Sequence, residues 1–244
     1  MTRFAVGDEV FARPDKDRIG TFAELLAVHQ DDVAIKPAGL TMEEAALLPL
    51  IALTAWQALV DRAGVRPGGG LGTIAIQLAK HLATTASTAN VDLVGQLGAD
   101  VVVDYREHAF ETALHDYDVV LDSLGGETLA KSLDVLKPGG KVISVAGPPD
   151  AAFARELGAS PVVRLVMSAL NFRTRRRARR RGVTYSFLFM KASGDQLRRL
   201  TPLFEAGEIR PVVDTVFPFE STLEALEYAE AGRAKAGKVV LTMT

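Results

Sequence analysis

Three short runs, residues 99–104, 118–122 and 141–145, are dominated by valine, isoleucine and leucine. They show no polar residue on every second position, as strands covered on both faces require. Helical spacing fills the intervals. Ile74, Leu78 and Leu82 lie four residues apart and give residues 73–82 one apolar face. Residues 128–136 repeat the pattern, and Pro138-Gly139-Gly140 is expected to stop that helix before the next strand. Strand and helix in alternation predict an α/β protein with a Rossmann-type, doubly wound parallel sheet.

The ends of the chain follow different rules. Residues 4–33 read as short strands and turns, one strand over 6–11 around Gly7-Asp8 and another over 22–28 after Gly20. Thr41 and Glu44 have capping-box spacing and open a helix. The adjacent Glu43 and Glu44 are read as structural, because a helix N-terminus favours negative charge. Ser193 with Gln196 opens a helix closed by Gly207, Ser221 with Glu224 opens another ending near Gly232, and residues 238–243 form a last strand. Both termini are therefore expected in one second domain, residues 1–53 with 208–244, beside a dinucleotide-binding domain over 54–207.

With 244 residues, 48% of them hydrophobic, the chain can bury one large or two modest cores. A net charge of -2 supplies no overall attraction to nucleic acid or to an anionic surface. The absence of cysteine removes disulfides, thiolate zinc ligands and a cysteine nucleophile. Residues 1–10 lack the layout of a signal peptide, and the apolar run 45–53 is short and interrupted by Pro49, so a cytoplasmic protein with no membrane span is expected. His29, His81, His108 and His115 are too scattered for a metal site, since even the pair His108 and His115 lacks a third ligand. The biased segment 173–181 carries seven arginines and no aromatic residue, which favours a solvated helix face or a subunit contact over nucleic acid.

Gly68-Gly69-Gly70-Leu71-Gly72 directly precedes the helix expected at Thr73. Glycines at that place let a diphosphate approach the free amides of a helix N-terminus, although a plain turn has the same composition. The alternating strands downstream favour the phosphate reading. At the end of the expected second strand stand Thr84-Thr85-Ala86-Ser87, with no acid to hold the ribose hydroxyls of NAD. That favours NADP; the alternative is that these are ordinary strand and turn residues.

Several motifs together carry a family likeness: residues 4–12, Gly20-Thr21-Phe22-Ala23-Glu24, residues 44–59 with Leu53-Thr54-Ala55-Trp56, residues 72–80, Leu97-Gly98-Ala99-Asp100 through Asp104-Tyr105, 122–126 and 237–241. They resemble the medium-chain dehydrogenase/reductase superfamily, and within it the zinc-independent, quinone oxidoreductase-like reductases. The resemblance implies NADPH-dependent hydride transfer to a quinone or an activated alkene, a GroES-like substrate domain beside the Rossmann domain, and a homodimer, for which the apolar residues 184–190 offer an edge. It places Thr54 by the nicotinamide and Gly69, Gly70, Leu71 and Gly72 on the diphosphate. Ser87 and Tyr105 would lie around the adenosine phosphate, Leu124, Val145 and Ala146 in loops over the cofactor, and Phe187 and Leu188 near the nicotinamide.

The chain departs from that family in four places. Gly64-Val65-Arg66-Pro67 precedes the glycine turn, and four residues ending in proline cannot supply a central strand. The second strand is clipped, and Thr88-Ala89-Asn90 replaces a lysine common near the 2'-phosphate. The part of the substrate domain that normally precedes Thr2 and Arg3 is not represented, so no proton donor is assigned. A different class of protein, a noncatalytic nucleotide-binding or interaction protein with an RNA-contacting patch at 173–181, is the alternative.

Overall fold

A computed structural model describes residues 3–17, 20–64, 83–234 and 237–243. The glycine turn with Gly69, Gly70, Leu71 and Gly72, the helix expected over 73–82, His81, and Val65, Arg66 and Pro67 lie outside the described residues. The chain forms two compact units, one from the described residues of Met1–Trp56 and Met190–Thr244, the other from those of Gln57–Val65 and His81–Phe189.

In the second unit the valine-rich runs pair as parallel strands. β3 (Ala83–Ala86) and β4 (Val101–Asp104) run side by side from Ala83 opposite Val101 to Ala86 opposite Asp104. β5 (Tyr117–Asp122), β6 (Leu136–Ser144) and β7 (Thr184–Phe187) form a second parallel sheet in that order. Helices make the crossovers: α2 (Val91–Gln96), α3 (Phe110–Ala113), α4 (Gly126–Ser132), and, between β6 and β7, α5 (Ala151–Glu156), α6 (Pro161–Leu170) and α7 (Phe172–Arg180). Leu129, Leu133, Val142, Tyr185 and Phe187 pack into one core cluster, while Val103, Leu114 and Val135 form another.

The α/β class and the parallel pairing are as the sequence predicts, but among the described residues the strands make two sheets. In Rossmann order the first strand lies between the second and the fourth. The break falls there, between β3 and β5, where the sequence offers only Gly64-Val65-Arg66-Pro67 before the glycine turn.

The helix expected over 128–136 is shorter than its pattern. It ends at Ser132, and Leu136 already pairs with Tyr117 in the sheet. Pro138-Gly139-Gly140 is a bulge inside β6 and not a helix stop: Gly139 has φ +87°, its N–H donates to Gly182 O at 2.8 Å, and the register shifts before Val119 meets Lys141. A Cβ on Gly140 would stand 2.9 Å from Lys137 O, so the bulge needs glycine there.

The first unit begins with β1 (Val10–Ala12) and β2 (Val33–Ile35), an antiparallel pair. The strand expected over 22–28 does not form; these residues enter no sheet, and Leu25 is exposed. α1 (Met42–Trp56) starts at a complete capping box, with Thr41 N–H donating to Glu44 Oε2 at 2.9 Å and Glu44 N–H to Thr41 Oγ1 at 3.2 Å. Pro49 does not interrupt it. The helix passes through the buried proline and into the π-helical turn Gln57–Arg62. By length and composition Met42–Arg62 is apolar enough to cross a membrane, but half of that stretch is buried inside the protein, as for a core helix.

α8 (Gly194–Glu205) is capped by Ser193, whose Oγ accepts from Gln196 N–H at 3.2 Å, and packs on α1 and β2. Gly194 is required at that contact, because a methyl group would land on the carbonyl of Val33. Phe11 and Phe204 meet edge to face across it, with centroids 6.3 Å apart. β8 (Val213–Pro218), α9 (Thr222–Glu230) and β9 (Lys238–Thr242) complete the unit as a parallel strand-helix-strand. Ser221 does not cap α9 through its side chain, since it already belongs to a 3-10 turn over Phe219–Ser221 and its backbone has left the extended region.

Candidate functional site

Parallel strands expose their C-terminal ends and the loops that leave them, and α/β proteins bind ligands there. In the second unit this edge is tied together by side chains that the sequence did not single out. Asp122, the last residue of β5, is buried and accepts from Ser144 Oγ, from Leu124 N–H at 3.3 Å and from Gly125 N–H at 3.1 Å. Ser144, the last residue of β6, accepts in turn from Ala146 N–H at 3.3 Å and Gly147 N–H at 2.7 Å, while its carbonyl receives Leu188 N–H at 2.9 Å. The loops after β5 and β6 therefore lean on each other. Gly125 has φ +70°, and a Cβ there would come within 2.7 Å of Ala146 O.

The third strand joins the same network through Asp150. Its Oδ1 caps α5 by accepting from Phe153 N–H at 2.8 Å, and its Oδ2 accepts from Phe187 N–H at 3.0 Å. Tyr185 donates from its hydroxyl to Pro148 O at 2.6 Å. Burial, reinforced by the charges of Asp150 and Asp122, pushes the Tyr185 phenol well above its ordinary range, so it stays a donor.

Of the residues expected to line a cofactor, Leu124, Val145, Ala146, Phe187 and Leu188 lie together on this edge. They differ in what they present. Leu124 and Ala146 are exposed and Val145 is half-buried. Phe187 instead packs edge to face on Phe153 at 5.0 Å, and Leu188 is buried against Ile143 and Ala58, so both side chains are core and only their backbone faces the loops.

Ser87 and Tyr105 follow the paired ends of β3 and β4, with Tyr105 N–H donating to Ala86 O at 3.1 Å and Tyr105 itself exposed. Between them stands an acid at the end of β4. Asp104 is bonded by the Thr88 side chain and by Arg106 N–H, and the Thr88 bond, followed by the Arg106 amide, holds its carboxyl below the usual range. An acid that holds the ribose of NAD is expected at the end of the second strand, whereas Asp104 ends the neighbouring strand. Thr54 belongs to the first unit, where its Oγ1 donates to Leu50 O at 2.7 Å within α1.

These strand ends, with open loops over buried polar anchors, fit a nucleotide cofactor; the residues expected on its diphosphate lie outside those described. The chain has no cysteine, and among the described residues no three of His, Asp and Glu are grouped so that they could hold a metal ion.

The parallel strands and their crossover helices define a Rossmann-like protein. Residues 97–241 match the family described as zinc-binding dehydrogenase. A mitochondrial NAD(P)H oxidoreductase of Danio rerio is 35% identical over 98% of this chain and 67% of its own length. An NADPH-dependent alkenal/one oxidoreductase, chloroplastic, of Arabidopsis thaliana is 34% identical over 96% of this chain and 58% of its own length. The structure superimposes on the quinone oxidoreductase of Coxiella burnetii with a TM-score of 0.78 and 27% identity, covering 99% of this chain and 74% of that one. The chain thus belongs to the zinc-binding dehydrogenase family of the medium-chain dehydrogenase/reductase superfamily, on its quinone oxidoreductase-like side. It spans about three fifths to two thirds of the length of these curated relatives.

Proposed function

We propose that the protein is a zinc-independent, NADPH-dependent oxidoreductase whose hydride acceptor is a quinone or an alkene conjugated to a carbonyl. The observation that carries this reading is the buried Asp122–Ser144 pair, which fixes the loops after β5 and β6 at the edge where a Rossmann domain receives its nucleotide. The names of the relatives agree in chemistry: an NAD(P)H oxidoreductase, an alkenal/one oxidoreductase and a quinone oxidoreductase.

In this reading the bound nicotinamide supplies the hydride, and the protein supplies position. Gly69, Gly70, Leu71 and Gly72 hold the diphosphate through backbone amides, and Ser87 and Tyr105 flank the adenosine side. Leu124, Val145 and Ala146 cover the cofactor, Phe187 and Leu188 contribute backbone, and Thr54 approaches the nicotinamide. The choice of NADP rests on the hydroxyl-rich end of β3. Asp104 opposes it by its charge, although Thr88 already occupies that carboxylate. We assign the first unit, the expected residues 1–53 and 208–244 together with α8, which packs on α1 and β2, to a GroES-like substrate domain and the second unit to the dinucleotide domain, and place a homodimer in the cytoplasm, although the two relatives carry mitochondrial and chloroplastic names. Nucleic acid has no part in this reading.

Fluorescence titration with NADPH and with NADH, beside NADPH oxidation in the presence of a simple quinone and a simple enone, tests the proposal. Tighter NADPH binding with turnover of either acceptor supports it. Binding without turnover favours a noncatalytic nucleotide-binding protein. Binding of neither nucleotide overturns both.

A further inference from the structure

The crossover between β6 and β7 contains a helix that the cofactor edge does not use. α6 is well specified locally: Ser160 Oγ accepts from Val163 N–H at 3.4 Å and Pro161 opens the first turn. Yet none of its residues is buried. Val162, Leu165 and Val166 share one face at 70%, 71% and 52% exposure, and the patch continues into Leu170 at 66% and Phe172 at 59%. Apolar side chains in such a run mark a surface that something covers.

Directly after it comes α7, whose two sides differ. Arg177 and Arg181 are bound to Asp134, and Ala178 is buried against the core. Arg175, Arg176, Arg179 and Arg180 instead line an open pocket with Phe172, and make no ion pair among the described residues. Seven of the 28 basic residues lie in this one segment of a chain that is otherwise acidic.

We propose that α6 and α7 form a docking surface for an anionic lipid bilayer, with the apolar face of α6 seated among acyl chains and the free arginines of α7 among phosphate headgroups. A ten-residue helix is too short to span a bilayer, and an apolar face flanked by cations is the pattern of a helix lying in the interface. A second copy of the chain fits less well. A two-fold contact pairs the patch with its own copy, and residues 161–181 contain no acid to meet the four unpaired arginines. Nucleic acid would satisfy the arginines but gives the exposed valines and leucines no partner.

The test is cosedimentation of the intact protein with vesicles of phosphatidylcholine alone and of phosphatidylcholine mixed with phosphatidylserine, repeated at raised salt. Binding is expected only to the mixed vesicles and is expected to weaken with salt. Arg175→Ala and Arg179→Ala should each lower the partition roughly fivefold. The double change Leu165→Asp, Val166→Asp should abolish it; because both positions are exposed, circular dichroism should remain unchanged. No binding to the mixed vesicles overturns the proposal, as does vesicle binding indifferent to both sets of variants. So does a dimer, or a complex with single-stranded RNA, formed by a protein that ignores vesicles. The nucleotide reading does not enter: NADPH binding by the variants reports on it separately.

Discussion

The hydroxyl of Ser144 donates to the carboxylate of Asp122, and the two residues stand opposite each other as the last members of adjacent parallel strands. The pair closes a circuit, because Asp122 also takes the amides of Leu124 and Gly125 while Ser144 takes those of Ala146 and Gly147. Ser144→Ala would leave Gly147 N–H and part of a buried carboxylate without partners. The expected loss is about 1–3 kcal/mol in urea unfolding, with weaker NADPH binding in the same variant.

Gly125 and Gly126 both have positive φ, at +70° and +53°, but only Gly125 faces an obstacle, Ala146 O at 2.7 Å from a built Cβ. Gly126→Ala should cost about 1–2 kcal/mol, the penalty for a left-handed backbone. Gly125→Ala should cost more, since the loop after β6 must also move. Thermal unfolding of the two variants under one set of conditions gives the order, and equal costs would show that the two loops do not touch.

Asp104 titrates below its ordinary 3.8, the Thr88 hydroxyl being the larger cause and Arg106 N–H the next. A carboxylate depressed in the folded state contributes stability above its unfolded pKa and loses it as pH falls through the folded value. The window is therefore acidic, from about pH 4 downward. Thr88→Val should raise the Asp104 pKa towards 3.8, as read from its side-chain carboxyl shift in NMR. An unmoved titration would mean that the Thr88 bond is absent.

Tyr185 behaves in the opposite sense. Its folded pKa is raised, by burial first and then by Asp150 and Asp122, so the folded state holds its proton where the unfolded chain releases it. Stability is then full below pH 10 and falls as pH rises beyond the unfolded phenol's pKa, about 10. Among the four tyrosines of the chain, the phenolate absorbance should show one that ionises only on unfolding. Tyr185→Phe should remove that late component and cost about 1 kcal/mol for the lost bond to Pro148 O.

Much of this was legible in the residues. The capping box at Thr41 and the side-chain cap at Ser193 formed as spaced, because a side chain reaching an amide three residues on needs nothing from the rest of the fold. The Ser221 cap did not form, because a preceding turn had set its backbone. Residues 22–28 lacked a strand for the complementary reason: a strand is stable only beside a partner, and the sequence of one strand does not name it. Phe187 and Leu188 resembled cofactor residues by position, yet packing took their side chains into the core.

The sequence alone determined the alternation of strand and helix, the parallel pairing it implies, the capped helix starts and the lack of thiolate chemistry, since each depends on residues close in the chain or on composition. Tertiary structure decided that Pro138-Gly139-Gly140 bulges a strand, that Asp122 meets Ser144, and that α6 keeps its apolar face uncovered. Those outcomes turn on atoms brought together from distant positions in the chain, and local propensity carries no record of which distant groups will meet.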